Sequence, residues 1–237
     1  MKYSIVKNIL YTIYIFKGFI IPYVYSNVVK NEDELLQILQ KNENEITLDI
    51  KSKIDITHTI SISQTIKKIT INGYSSDVSV LYFQDSSHPL FFGENIKEIS
   101  INNISIFGNI YFDNNEKIEI NSLSLTGNID SNFERHNNEY IRIFNMTYSS
   151  SEFSAENCIN LEGGNTEINK STFRGSKSCQ NRLINFNGLE RYKLSIIDCY
   201  FSGEYQCPFL NLDNGLMVNI ENSTFEKAYS NELLGGG

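Results

Sequence analysis

The sequence predicts an all-β fold: a right-handed parallel β-helix with one short capping helix near its N-terminus. Three observations support this prediction. β-branched and aromatic residues, which favour strands, are abundant. Short segments alternate between apolar and polar residues, as half-buried strands do. One strand-turn-strand phrase recurs along the chain. With 41% hydrophobic residues, the chain has enough apolar material to fold, which argues against global disorder.

Residues 1–26 have the pattern of a secretory signal peptide. Lys2 and Lys7 give a positive start, a short apolar run follows, and the next residues suit cleavage before Asn27. The alternative is an uncleaved membrane anchor, but lysines interrupt the apolar stretch that a membrane span needs. The sequence therefore predicts a secreted, extracellular or cell-surface protein. Membrane attachment is expected only through this segment or through an anchor beyond the C-terminus.

The charge of the chain bears on its partners. Residues 1–26 contain three lysines and no acid, so the rest of the chain has 17 basic and 28 acidic residues. Phosphate binding needs clustered cations, and the sequence has no such cluster, so nucleic acid is not an expected partner. The acidic balance also serves solubility, and this simpler explanation stays open.

Residues 27–45 are predicted to form an N-terminal capping helix. Asn31 can accept a hydrogen bond as the N-cap, and Glu34 three residues later gives a capping-box pattern. Acidic residues follow Asn31, where they suit the positive end of the helix dipole. The apolar face comprises Leu35, Leu36, Ile38 and Leu39.

The period changes after the helix, and a repeat begins. Short alternating strands are predicted at 46–50, 54–56, 60–62 and 69–71. The phrase ISINNISIFGN at 99–109 then returns as IEINSLSLTGN at 118–128 and, in looser forms, four more times. Two apolar ladders keep a constant offset: Ile101, Ile120, Ile143, Ile168, Ile196 and Ile220, then Ile106, Leu125, Tyr148, Phe173, Phe201 and Phe225.

Repeat spacing decides the architecture. The steps between copies vary from 19 to 28 residues, which indicates a constant unit joined by loops of variable length. One unit cannot bury its own apolar face, but copies stacked about 4.8 Å apart can. We therefore expect about eight coils over residues 46–237. A β-sandwich would instead show hairpin turns. The chain ends in GGG without a polar cap, so we expect either an incomplete β-helix or a last coil covered by a partner.

The helix and the ITLDI segment after it resemble the capped start of pectin-lyase-like β-helix proteins. The STF units are similar to the repeats of polymorphic outer-membrane-protein-type β-helices. The resemblance covers about residues 30–237. It implies the fold but not one activity, since such families include polysaccharide lyases, hydrolases and epimerases as well as adhesins without catalysis.

Cysteine spacing predicts one disulfide. Cys179 and Cys207 each follow the ladder aromatic of their own coil by six residues, so stacking should bring them within bonding reach. Cys199 lies between two ladder positions and is expected to be a buried thiol, whereas Cys158 is left unassigned. The three histidines are far apart in sequence and form no close Cys/His pairs, so no metal or other cofactor is predicted.

Sequons supply the candidate modification sites: Asn103, Asn145, Asn169 and Asn222. Three of them share one offset in their coils, a turn position that Ser122 and Asp198 also occupy. Stacked side chains at such a turn can hydrogen-bond the backbone along the axis, which would hinder glycan attachment. We therefore expect only some of the four asparagines to be glycosylated.

The candidate catalytic residues are Glu162 and Asp213, predicted to stack two coils apart with Asn187 between them. Their separation would be about 9.6 Å, at the outer edge for an inverting glycosidase pair, and no arginine lies in register with them. Outward tyrosines are a second candidate, because they can contact sugar rings or protein: Tyr74, Tyr82, Tyr111, Tyr192, Tyr200 and Tyr205.

These observations favour a non-catalytic β-helix that binds glycan or protein, or that has a structural, adhesin-like role. Its partners would be polysaccharide or a surface protein. The alternative is a polysaccharide lyase or glycoside hydrolase of the same fold. An enzyme would need a tight cluster of acidic or basic residues on one strand face, and the sequence shows none.

Overall fold

The computed structural model confirms the all-β prediction with a parallel β-solenoid of about eight turns. The coils contribute strands to three sheets, named A, B and C, and the strands of each sheet pair in parallel with those of the adjacent coils. The first coil and the last described coil have strands in sheets A and B alone. The predicted signal segment, except for its last residue Ser26, and the terminal GGG lie outside the described part of the chain. The structure describes residues 26–85, 87–133, 139–151 and 155–229.

Sheet A collects one strand from every coil and an extra strand at its N-terminal edge. The extra strand, β1, pairs with β2 from Ser26↔Thr47 to Val29↔Ile50 and was not predicted from the sequence. In spatial order the strands are β1 (Ser26–Val29), β2 (Glu45–Ile50), β4 (Lys68–Gly73), β7 (Glu98–Asn102), β10 (Lys117–Asn121), β13 (Tyr140–Phe144), β16 (Asn165–Asn169), β19 (Lys193–Ile197) and β22 (Met217–Glu221).

Sheet B is built from shorter strands that follow sheet A after a tight turn. Its strands are β3 (Lys53–Ile56), β5 (Val80–Phe83), β8 (Ser105–Phe107), β11 (Ser124–Thr126), β14 (Thr147–Ser149), β17 (Thr172–Arg174), β20 (Tyr200–Ser202) and β23 (Thr224–Glu226).

Sheet C completes the coils. Its strands are β6 (Leu90–Phe92), β9 (Ile110–Asp113), β12 (Ile129–Asn132), β15 (Ala155–Glu162), β18 (Cys179–Asn187) and β21 (Leu210–Asp213). The last three contain the interleaved CINLEGG, LINFNGL and FLNLDNG segments of the repeat.

The predicted strand at 60–62 does not form, although Ile60 is buried in the core. The helix occupies the hydrogen-bonding groups that a strand would use. Gln40 donates its amide to the Ser61 carbonyl, and the Ser63 N–H donates to the Leu39 carbonyl at 2.8 Å. As a result, β6 is the N-terminal edge strand of sheet C.

The capping helix α1 (Glu32–Leu39) has the predicted N-cap. Asn31 Oδ1 accepts from the Glu34 N–H at 2.9 Å, and the Glu34 carboxylate accepts from the Lys30 N–H at 2.9 Å, one residue before the expected donor. Leu35 and Leu39 are buried against the first coils. The helix therefore covers the N-terminal end of the core.

The inward ladders pair in register as the repeat predicted. Ile120 of sheet A faces Ile101 on one side and Ile143 on the other. On sheet B, the Phe201 ring stacks on Phe173 with ring centroids 4.8 Å apart and on Phe225 at 4.6 Å. The copies of the repeat thus bury one another, because each ladder side chain lies on its own equivalent in the previous coil.

The predicted Cys179–Cys207 disulfide does not form: Cys179 is bonded to Cys158, and Cys207 is a buried free thiol. Cys179 is the first residue of β18, whereas a longer loop places Cys207 three residues before β21. The six-residue offset therefore does not carry the two cysteines to equivalent positions. Burial raises the pKa of Cys207 to about 11. Cys199 is a buried thiol, as predicted.

Glu32 of α1 accepts hydrogen bonds from the segment that follows β3. One carboxylate oxygen accepts from the backbone N–H groups of Thr57 and His58, each at 2.7 Å. The other accepts from the Thr57 hydroxyl at 2.7 Å. Burial acts to raise the pKa of Glu32, but these hydrogen bonds together outweigh burial and lower it to about 2.

The lowered pKa predicts a stability change in acid. Since Glu32 binds a proton more weakly when folded, its contribution to the free energy of unfolding is present above pH 4.5 and is lost as pH falls towards about 2. We expect Glu32→Gln to flatten the pH dependence of the thermal midpoint in this window. Asp33→Asn, on the exposed side of the same helix, is the control. An unchanged profile in Glu32→Gln would contradict the assignment.

Candidate functional site

Several acidic residues on the outer faces of sheets A and B pair with cations, although Asp49 of sheet A accepts from Ser26 and Asn72 instead. On sheet A, Lys68 lies 3.3 Å from Glu98. On sheet B, Lys53 lies 2.6 Å from Asp55, and its ammonium is 4.5 Å from the Tyr82 ring centroid. These charges are exposed and already compensated within the protein.

Sheet A also carries an outward asparagine ladder, in which Asn121 donates to Asn102 at 2.9 Å and Asn102 donates to Asn72 at 3.1 Å. The outer face of sheet C differs in its charged residues. Its outward side chains form two columns along the solenoid axis, each with one residue per coil. Column 1 consists of Phe91, Tyr111, Asp130, Asn160, Asn185 and Asn211. Column 2 consists of Asp113, Asn132, Glu162, Asn187 and Asp213. Every side chain in the two columns is aromatic, amide or carboxylate, and the face extends about 24 Å along the axis.

An aromatic pair occupies the N-terminal end of column 1. The Phe91 and Tyr111 rings are stacked with centroids 5.2 Å apart and planes 19° from parallel. Phe91 is 42% exposed, so the pair presents apolar surface to solvent. Exposed aromatics of this kind can contact the C–H surface of a ligand.

Side-chain amides continue column 1 as a directional ladder. The Asn211 amide donates to Asn185 Oδ1 and the Asn185 amide donates to Asn160 Oδ1, both at 2.7 Å. Asn160 in turn hydrogen-bonds Asp130. Each asparagine keeps further hydrogen-bonding capacity, because an amide has two donors and two acceptor lone pairs. The ladder therefore holds the side chains in fixed positions while leaving groups for a ligand.

Tyr111 of column 1 lies near carboxylates of both columns. Burial raises the pKa of its hydroxyl, and the nearby carboxylates of Asp113, Asp130 and Glu162 raise it further. Burial also raises the pKa of Asp130, against the opposing effect of its hydrogen bond with Asn160. The phenol thus stays protonated at neutral pH beside a group of acids.

The candidate pair Glu162 and Asp213 stacks as predicted, with Asn187 in register between them. The Asn187 amide lies 3.5 Å from Glu162 Oε1. Two strand spacings put the acids about 9.6 Å apart, at the outer edge for an inverting pair. Glu162 is half-buried and Asp213 is exposed. The nearest basic residue of β18, Arg182, donates to the Asn181 carbonyl at 2.8 Å.

The predicted outward tyrosines are scattered over the molecule. Only Tyr111 belongs to the two columns. Tyr192 is buried and donates to Glu139 at 2.6 Å, while Tyr200 lies on sheet B and donates to Glu226. The remaining three are exposed away from sheet C: Tyr74, Tyr82 and Tyr205.

The shared turn of the repeat is confirmed, and its backbone explains it. Asn103, Asn145 and Asn222 are exposed and have φ of 53°, 54° and 49°. At the same turn position, Ser122 and Asp198 have φ of 54° and 55°. Asparagine tolerates this left-handed conformation better than most residues do.

The turn hydrogen bonds differ from the expected side-chain pattern. The backbone N–H of Asn103 donates to the Asn121 carbonyl at 3.0 Å, and the Asn145 amide donates to the Ser122 hydroxyl at 2.9 Å. The fourth sequon, Asn169, is half-buried at the end of β16. The modification of these asparagines remains a prediction.

Sequence analysis missed Phe91 and the earlier part of both columns. A signal was present: IYFD, IDSN, INLE, INFN and LNLD occupy 110–113, 129–132, 159–162, 184–187 and 210–213. Each has apolar residues at its first and third positions except for Ser131, and column residues at the second and fourth. Only the last three were aligned, since the strands of sheet C follow loops of unequal length.

Two further findings concern the described residues alone. They contain no group of three or more His, Cys, Asp or Glu side chains placed to hold a metal ion. Nor do they include a helix of the length and apolar character needed to span a membrane.

The fold and this face define a class: a parallel β-solenoid with a polar and aromatic outer sheet. No protein-family model matches the chain, and neither curated proteins nor solved structures give a significant match.

Proposed function

We propose that this protein is an extracellular, non-catalytic β-solenoid that binds glycan chains along the outer face of sheet C. One observation carries the proposal: the Phe91–Tyr111 pair, in which Phe91 is exposed, continues in register through Asp130 into a ladder of asparagines. Sugars present both C–H surface and hydroxyl groups, and this face offers an aromatic pair followed by amide donors and acceptors.

A binding role is favoured over catalysis by the spacing and surroundings of the acids. Glu162 and Asp213 lie about 9.6 Å apart with an amide between them. The capped start and the stacked coils support the resemblance to pectin-lyase-like β-helices, which we keep as part of the proposal.

The proposal predicts that removing the aromatic pair weakens glycan binding. Purified protein would be incubated with cellulose, chitin, xylan and pectin, with and without calcium, and both retained protein and released sugar ends would be measured. We expect retention on at least one polymer without product. Phe91→Ala/Tyr111→Ala should weaken this retention about tenfold, which corresponds to about 1.4 kcal/mol.

A matched control lies on the same two coils. Tyr82 and Phe107 form an exposed aromatic pair on sheet B with ring centroids 5.7 Å apart. The Tyr82→Ala/Phe107→Ala variant should therefore be retained on the polymer as strongly as the unmodified protein is. Thermal melts would confirm that both double variants fold. Equal loss in both variants would contradict sheet C as the site. Release of sugar ends would support the enzyme alternative, and Glu162→Gln and Asp213→Asn would then be the variants to assay.

A further inference from the structure

Resting on the proposed function, we propose that the ligand of sheet C is a linear glycan bearing protonated amines. A β-1,4-linked glucosamine chain has the required chemistry. The inference concerns the charge and repeat of the ligand, which the aromatic pair and the amide ladder do not determine.

The carboxylates of sheet C favour a positively charged ligand. Columns 1 and 2 contain four carboxylates, Asp113, Asp130, Glu162 and Asp213, and otherwise only aromatic and amide side chains. On sheet A, Lys68 and Arg142 lie beside Glu98 and Glu167, and Asp49 is an outward acid that pairs with Ser26 and Asn72 instead of a cation. A polyuronide laid on sheet C would place like charges together, which disfavours binding. An ammonium would meet carboxylates that form no ion pair within the described part of the chain.

The second argument is the period of column 2. Along the axis it reads acid, amide, acid, amide, acid: Asp113, Asn132, Glu162, Asn187 and Asp213. A carboxylate therefore recurs every second strand, at intervals of about 9.6 Å. In an extended β-1,4-linked chain, successive sugars are turned over, so amines on one side recur once per disaccharide, over a similar length. A chain lying parallel to the solenoid axis can thus meet one carboxylate per disaccharide.

The third argument is the position of the remaining groups. Column 1 lies two residues away on the same strands, about 7 Å from column 2. Its asparagines are held by mutual hydrogen bonds of 2.7 Å and can bond sugar hydroxyls beside the amines. The Phe91–Tyr111 pair lies at one end of this row, where it can pack against a sugar ring.

The test compares two hexasaccharides with the same backbone and linkage. Isothermal titration of the intact protein would use glucosamine hexamer and N-acetylglucosamine hexamer at low ionic strength, at a pH that keeps the amines protonated. Galacturonate hexamer is the anionic comparison. We expect glucosamine hexamer to bind about tenfold more tightly than its acetylated form. The preference should shrink with added salt, because screening weakens exposed charge pairs.

Variants assign the preference to the column. Glu162→Gln should lower the affinity for glucosamine hexamer about three- to fivefold and lower the affinity for the acetylated hexamer by a smaller factor. The matched control is Glu119→Gln on sheet A, where the Glu119 carboxylate lies 3.1 Å from the Lys117 ammonium. This variant should change the affinity for neither hexamer. Equal or tighter binding of the acetylated or galacturonate hexamer would overturn the charge inference while the glycan-binding function stands. Binding of none of the three would also overturn the charge inference, and retention on cellulose, chitin, xylan or pectin would then decide whether the glycan-binding function stands.

Discussion

Phe173→Ala is expected to lower the free energy of unfolding by about 3–5 kcal/mol, the range for truncating a fully buried phenylalanine. Phe173 has no exposed surface and stacks between Tyr148 and Phe201 in the inward ladder of sheet B. Its removal leaves a cavity between coils whose positions are fixed by backbone pairing on both sides. Urea unfolding of the variant and the unmodified protein would measure the difference.

Phe225→Ala is the matched control for this prediction. Phe225 stacks on the same Phe201 ring, at 4.6 Å and 4°, but it lies in the last described coil and is only partly buried. Phe225→Ala should therefore lower the free energy of unfolding by about half as much as Phe173→Ala does, or less. If the two variants lost equal stability, the interior ladder would not be the main source of stability that the repeat implies.

Gly127→Ala is expected to lower the free energy of unfolding by about 3 kcal/mol, because the added methyl group would clash with backbone rather than with core side chains. A Cβ at Gly127 would lie 1.9 Å from the Gly108 carbonyl oxygen, and φ of Gly127 is +159°. Side chains rarely adopt this conformation, and the clash is with backbone that cannot move away. Gly108 and Gly127 are the glycines of the repeated Phe/Thr-Gly-Asn ending, so the repeat keeps glycine where stacked coils approach each other.

Gly215→Ala is the control for the glycine prediction. The nearest atom to a Cβ at Gly215 is Val218 Cγ2 at 3.4 Å, an ordinary contact. This variant should stay within about 0.5 kcal/mol of the unmodified protein. Thermal melts of both variants would separate a backbone clash from a general sensitivity to added methyl groups. A Gly127→Ala protein as stable as Gly215→Ala would show that the coils can move apart there.

The inward ladders could be predicted from sequence because their offset is constant. Ile120 and Leu125, for example, are five residues apart, and equivalent pairs keep this spacing in every copy of the repeat. Stacking then follows, since only equivalent residues of adjacent coils can bury one another. The left-handed turn residues, such as Asn103, lie within the same constant segment and were predicted for the same reason.

Features that depend on loop length could not be predicted in this way. The loop before β18 and the loop before β21 differ in length, so Cys207 does not occupy the position equivalent to Cys179, which is bonded to Cys158. The longer loop before β15 likewise hid the alignment of Asp130 with Asn160 on sheet C. The absent strand at 60–62 depends on hydrogen bonds to α1, a contact that no local period reveals.

The central claim is that the outer face of sheet C is the ligand-binding face. Carboxyl labelling by carbodiimide and an amine, read by mass spectrometry, would test it with and without a retained glycan. If sheet C binds the glycan, bound glycan should lower the labelling of Asp113, Glu162 and Asp213. The labelling of Glu98 and Glu119 on sheet A should stay the same. Protection of the sheet A glutamates, with unchanged labelling on sheet C, would contradict the account.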